Sequence, residues 1–432
     1  MEDARRRTLE LVEDLSRDQL LGPKLDVVNP LLWEIGHLAW FHERFILRDL
    51  AGRRPARPDA DALYDSMAVA HGTRWDLPLP SYAETLAYME EVLARLRRNL
   101  EGRQATPDEA YRYLYTTFHE DMHGEAFTYT RQTLGWPAPD LASARKESYL
   151  PEVREAGPLP GDVEVPGGRF LLGADRSEPF VFDNEKWAHA VELEPFQISR
   201  APVTNREMAR FVEDGGYERR ELWGDAGWAW RTETGAELPL YWRRAGDGWQ
   251  VRRFDRWIPL PVDRPAIHVC WHEARAWCRW AGRRLPAEAE WEAAAAGEPA
   301  GDGRRLSERK RRYPWGDEPP TPERANLDGR ALGCLDVAAL PAGDSAFGCR
   351  QMIGNVWEWT ESTFEPYPGF EPDMYQAYSE PWFGTRKVLR GGAWATRSRM
   401  IRNTWRNYFT PDRRDVFAGF RTCALDPGPE SV

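Results

Sequence analysis

The hydrophobic period of this chain changes between residues 136 and 160, and no single packing of layers serves both sides of that change. Up to about residue 135, apolar residues recur at helical spacing. Beyond 160, short strand-like pieces (RFLLGA, HAVELEPFQISR) alternate with loops rich in Gly, Pro and Trp. The intervening stretch is rich in Pro, Ala and charge. At 432 residues the chain is also too long for one ordinary core, so two domains are expected: 1–140, a linker at 141–160, and 161–432.

Four amphipathic segments make up the first part. Residues 5–21 form the first, and LLWEIGHLAWFHERFILRDL, started by Pro30, the second. SYAETLAYMEEVLARLRRNLEG opens on Ser81 with Glu84 three residues later, a capping box. Thr106 and Pro107 open PDEAYRYLYTTFHEDMHGEAFTYTRQTLG, which ends at Gly135. With one long polar link at 51–80, the expectation is a four-helix bundle. In the second part helices are expected at 205–213, 272–281 and 288–296. Nothing there has a βαβ rhythm, so the domain reads as α+β with much irregular structure.

A net charge of −11 argues against a nucleic-acid or anionic-membrane surface. No apolar run approaches the roughly 18–20 residues that span a bilayer. The charged start MEDARRRTLELVEDL lacks the features of a secretory signal, so a cytoplasmic protein is expected. Five scattered cysteines include no CxxC pair and read as buried thiols in a reducing compartment. The 21 tryptophans, mostly after residue 180, suit an irregular domain held by aromatic packing.

Chemistry concentrates in the histidines. His119 and His123, four apart in HEDMH, share one helix face and can chelate one divalent ion. His37, within EIGHLAWFHE, offers a third nitrogen from another segment, with His42 as its rival. Imidazole suits iron, zinc, copper or nickel, so the ligands alone do not name the metal. The letters of HEDMH also match HExxH, which keeps open a zinc hydrolase with Glu120 as base.

Five pieces of the second part stand in a telling order. They are PFQISRAPVTNREMARFVEDGGY, CWHEARAWCRWAGRRLPAEAEWEAAA, YPWGD with ANLDG, GCRQMIGNVWEWTES, and VLRGGAWATRS. Together they resemble the formylglycine-generating-enzyme (C-type-lectin-like) fold over most of some 270 residues. The helical part, with His37, His119, His123 and Glu125, resembles a DinB-like bundle. The oxidase branch of the fold carries a cysteine pair after RGG. Here that region reads RGGAWATRSRMIRNTWRNYF, so copper-thiolate oxidation is not expected. A related lectin-like scaffold would instead make the chain a ligand-binding module.

The fusion resembles the ergothioneine-pathway sulfoxide synthases and their relative, selenoneine synthase. That resemblance implies Fe(II) on His37, His119 and His123, and O2-dependent joining of a chalcogen donor to C2 of the hercynine imidazole. Three neutral nitrogens leave positions for substrate, donor and O2 on one metal. RNYF at 406–409 matches the family's RNWD, which makes Asn407 and Tyr408 hercynine contacts, the ring facing a trimethylammonium. Met122 stands where the sulfur enzymes have a Gln that meets the hercynine carboxylate. Arg74, Arg413 and Arg414 fill the donor's Arg places, and Phe409 replaces the Asp that would pair the donor's ammonium. A selenosugar therefore fits better than γ-glutamylcysteine, placing selenoneine synthase first and a sulfoxide synthase second. The family's proton-donating tyrosine is Tyr367, Tyr375 or Tyr378. Glu125 is either a support for a ligand imidazole or a solvated helix residue.

Overall fold

A computed structural model describes residues 1–146 and 151–425. Positions 147–150 of the expected linker, and 426–432 of the second domain, lie outside the described residues. The chain divides into two compact units, residues 1–142 and 143–432.

The first unit holds α1 (Glu2–Glu10), α2 (Arg17–Leu21), α3 (Leu31–His42), α4 (Ala60–Tyr64), α5 (Tyr82–Leu100) and α6 (Pro107–Leu134). The segment expected at 5–21 is broken in two. Ser16 accepts from the Gln19 amide while Gln19 reaches back to the Ser16 N–H, a capping box that starts a new helix. The expected caps of the later helices are present: Ser81 with Glu84 on α5, Thr106 with Glu109 on α6, and left-handed Gly135 closing α6. On α5 the buried positions Thr85, Tyr88, Met89, Val92, Leu93 and Leu96 form one stripe.

α3 departs from the amphipathic expectation, since all twelve of its residues are buried. A helix buried on every side belongs at the centre, and α3 packs against α2, α4, α5 and α6. It continues into a π-helical segment, Glu43–Arg48.

The second unit carries two four-stranded sheets. In one the order is Asp162–Val165, Phe196–Ser199, Cys423–Ala424, Arg283–Arg284; in the other, Arg406–Phe409, Lys387–Arg390, Trp357–Thr363, Ala418–Gly419. HAVELEPFQISR, which reads as one strand-like piece, is divided at Pro195. His189–Leu193 pairs with Gly168–Leu172, whereas Phe196–Ser199 pairs with Asp162–Val165.

Short helices α7 (Ala142–Lys146) and α8 (Pro151–Arg154) precede α9 (Asn205–Glu213), α10 (Gly224–Thr234), α11 (Trp271–Trp280) and α12 (Glu288–Ala296). α10 was not expected: GDAGWAWRTET has two glycines, and Gly227 is its only buried residue. Trp357, Trp359, Trp394 and Trp405 are core, while Trp315 is half-buried and stacks on Tyr313. All five cysteines are free and buried.

The core around α12 is also ionic. Arg390 meets Glu288 at 2.7 Å and also Glu292, which holds Lys310 as well. Arg406 makes two bonds to Glu288, at 2.7 and 3.0 Å. Arg421 clasps Glu358, which also accepts from the Trp291 indole. Two motif pieces meet here as scaffold: Asn326 of ANLDG donates to Asn355 of GNVWEW at 2.9 Å.

Burial holds the His268 imidazole down to about 3 and that of His272 down to about 4. Both folded values lie below the ordinary 6.5, so their contribution to stability is complete above that pH and lost as pH falls towards 3–4. Asp183, raised to about 6 by burial, opposes this by favouring the fold when protonated. The expected contribution of these three groups from pH 7 to 4.5 is a net loss of about 3 kcal/mol, read from melting curves of the wild type against variants at these positions across that range.

Candidate metal centre

Two helices bring three imidazoles together. His37 comes from the middle of buried α3, and His119 and His123 lie one turn apart on α6. One ligand nitrogen from each lies within 4.8 Å of the others. His37 is 2% exposed and His119 5%, with His123 half-buried.

Aromatic rings fix the imidazole planes. Trp33 stacks on His37 at 4.9 Å and 9°, and Phe41 stacks on His119 at 3.6 Å and 7°. Hydrogen bonds fix the tautomers. His37 Nδ1 donates to the Tyr64 carbonyl at 2.8 Å, and His123 Nδ1 donates to Glu34 Oε1 at 3.1 Å. Each of these rings then keeps its Nε2 lone pair for a cation. Burial first, then the neighbouring imidazole of His123, holds the His37 and His119 values well below the usual range. Both therefore stay neutral at pH 7, the form in which imidazole binds a metal. This donor set fits a divalent transition ion with positions left open, and among the described residues it is the only such His, Cys, Asp and Glu group.

His42 does not join the cluster. Its Nε2 meets Glu120 at 2.9 Å, and Glu120 also receives Arg5 at 2.8 Å and Thr8 at 2.9 Å. Arg5 and His42 hold the buried Glu120 carboxyl well below the carboxylate range against the cost of burial. A carboxylate so engaged cannot serve as the base of a hydrolase, which removes the physical basis of the HEDMH zinc reading. Glu125 is half-buried on α6, and Glu34 is the carboxylate on His123. Sequence reasoning missed Glu34, although it is the one acidic residue in LLWEIGHLAWFH, three positions before His37.

Tyr64 supports the centre through close packing. A Cβ at Gly36 would lie 2.3 Å from the Tyr64 ring, whose carbonyl holds His37. Gly36→Ala should destabilise the unit by about 1–3 kcal/mol and weaken metal binding, checked by melting and metal titration.

The remaining expected residues fall as follows. Met122 is half-buried between the two α6 histidines. Arg74 is buried, donates to Asn29 Oδ1 at 2.7 Å and lies 3.9 Å over Trp33, so it reaches the centre through the ring that stacks on His37. In the second unit Asn407, Tyr408 and Phe409 follow Arg406 on one strand, paired with Leu389, Val388 and Lys387. Tyr408 stacks on Phe364 at 4.0 Å. Tyr378 meets Tyr408 edge-on at 6.1 Å, and half-buried Tyr375 begins the turn that carries it. Tyr367 instead belongs to the core cluster, its ring 4.1 Å under Arg406. Arg413 is paired with Asp415 at 2.6 and 2.8 Å and covers Phe409 at 5.0 Å, and Arg414 meets Glu273 at 3.3 Å.

Among the described residues no helix is long and apolar enough to cross a membrane. The DinB superfamily matches residues 1–132, and the sulfatase-modifying factor enzyme 1-like domain family matches residues 147–425. Over nearly the whole chain there is similarity to a hercynine oxygenase of Mycolicibacterium thermoresistibile, 41% identical over 97% of this chain and 92% of that protein. A hercynine oxygenase of Mycobacterium tuberculosis is 40% identical over 97% and 96%. A formylglycine-generating enzyme of Streptomyces coelicolor is 33% identical, covering 62% of this chain and 89% of its own.

Proposed function

The chain belongs to the hercynine oxygenase family, a DinB-type unit followed by a sulfatase-modifying-factor-like unit, and from that premise we propose an Fe(II)- and O2-dependent enzyme acting on hercynine. It is an oxidoreductase-type enzyme, which sets aside the binding-module reading. The observation that carries the proposal is the cluster of His37, His119 and His123. Iron held there would supply the one-electron chemistry that lets O2 react with closed-shell partners.

The chain's own residues do the rest. Trp33, Phe41, Tyr64 and Glu34 hold the three imidazoles in one orientation and protonation state. On the first unit Met122 faces hercynine and Arg74 the donor. On the second, Asn407 and the ring of Tyr408 receive the betaine, with Tyr378 the proton donor on the strength of its contact with Tyr408.

The donor is a selenosugar, and the product has a carbon–selenium bond at C2 of the imidazole. Two features support this over γ-glutamylcysteine. Phe409 offers no charge to an ammonium, and the guanidiniums of Arg413 and Arg414 already meet Asp415 and Glu273. The test mixes Fe(II), hercynine and O2 with each donor side by side. The selenosugar should be preferred, and Phe409→Asp should raise kcat/KM for γ-glutamylcysteine by about 10–100-fold. Comparable wild-type turnover with γ-glutamylcysteine would establish the sulfoxide synthase instead.

A further inference from the structure

Glu34 is an unusual residue for its position. It is 2% exposed, on a helix buried on every side, and among the described residues its hydrogen-bond partners are His123 and Asn29 rather than an arginine or lysine. Its Oε1 accepts from His123 Nδ1 at 3.1 Å and from Asn29 Nδ2 at 3.1 Å, while Oε2 has no hydrogen-bond partner among the described residues. Asn29 Oδ1 in turn accepts from Arg74 Nη1 at 2.7 Å. The polarity of this chain is consistent from end to end. Only one orientation of the Asn29 amide serves, with oxygen towards the guanidinium and nitrogen towards the carboxylate.

A buried carboxylate in such surroundings is costly unless a positive charge answers it. Here Arg74 stands one amide away, and on the other side is the imidazole of His123, whose second nitrogen faces the cluster. A cation on that nitrogen would complete a carboxylate–histidine–metal series, in which the carboxylate aligns the ring and makes its other nitrogen a better donor.

We propose that Glu34 is the positioning residue of His123, and that Asn29 couples it to Arg74. The inference rests on the reading that the three histidines hold a divalent metal. Its consequence is that Arg74, expected from the sequence only as a donor contact, is also part of the support of the metal centre. A change in what Arg74 binds is then transmitted to His123 through two hydrogen bonds.

The test is a Co(II) titration of the metal-free full-length protein, followed by visible absorption, for the wild type and for Glu34→Gln, Asn29→Leu and His119→Ala. Glu34→Gln keeps the shape and removes the charge. It should still bind one Co(II), about 10–100-fold more weakly and with a displaced visible band, while its metal-free melting temperature does not fall. Asn29→Leu should shift affinity in the same direction by about 3–10-fold. Wild-type affinity and spectrum in Glu34→Gln would overturn the role of Glu34. So would weaker binding accompanied by a matching loss of metal-free stability, because that marks a merely structural residue. Unaltered binding in Asn29→Leu would overturn the coupling to Arg74. A wild type that takes up no Co(II), indistinguishable from His119→Ala, is a different result and overturns the metal centre itself.

Discussion

His119→Ala should abolish productive metal binding while leaving the helical unit folded. If a closed four-ligand site yields about 10–16 kcal/mol, one ligand is worth roughly 3 kcal/mol, so affinity should fall about 100-fold or more. The remaining pair, His37 and His123, would come from different helices and lose the chelating i, i+4 geometry. Folding should survive because the caps of α5 and α6 and the Arg131–Asp14 pair are remote from this side chain. Melting reads both effects at once. With Fe(II) or Co(II) at 100 times its Kd, the wild type should gain about 2.7 kcal/mol, whereas the variant at that concentration should gain only a few tenths. Turnover should be lost with the metal.

Glu288→Ala should be the most damaging single change in the second unit. It strips Arg406 of the carboxylate that meets it through two bonds and takes one of the two partners of Arg390. Both guanidiniums are fully buried, so the uncompensated charge should cost about 3–5 kcal/mol. For a unit of this size that is a fall of about 10 °C in Tm. Breaking the half-exposed Arg206–Asp263 pair should cost under about 1 kcal/mol, which makes it the control. Arg406 also begins the strand that carries Asn407 and Tyr408. If those residues bind hercynine, its KM should rise in the variant at temperatures where the protein remains folded.

The legible part of this protein was whatever local chemistry dictates. Ser81 with Glu84, and Thr106 with Pro107, announce helix starts because capping is a matter of residues three apart. The spacing of His119 and His123 shows one helix face for the same reason. What stayed hidden depends on contacts between distant segments. The Tyr64 carbonyl that holds His37 lies 27 positions away in sequence, and the partners of Glu120, Arg5 and His42, lie 115 and 78 away. The fully buried α3 misled for another reason: α2, α4, α5 and α6 cover it from all sides, and which segments cover a helix is not written in its own spacing. The arginine-rich network around α12 was invisible because Glu288 and Glu292 find Arg390 and Arg406 between 98 and 118 positions further along the chain.

The most direct measurement is metal content together with O2 uptake on the purified, anaerobically reconstituted protein. Iron(II) at one equivalent per chain, with O2 consumed only after hercynine is added and none in His119→Ala, is the predicted result. Tightly held zinc, or iron with no hercynine-dependent O2 uptake, would contradict it.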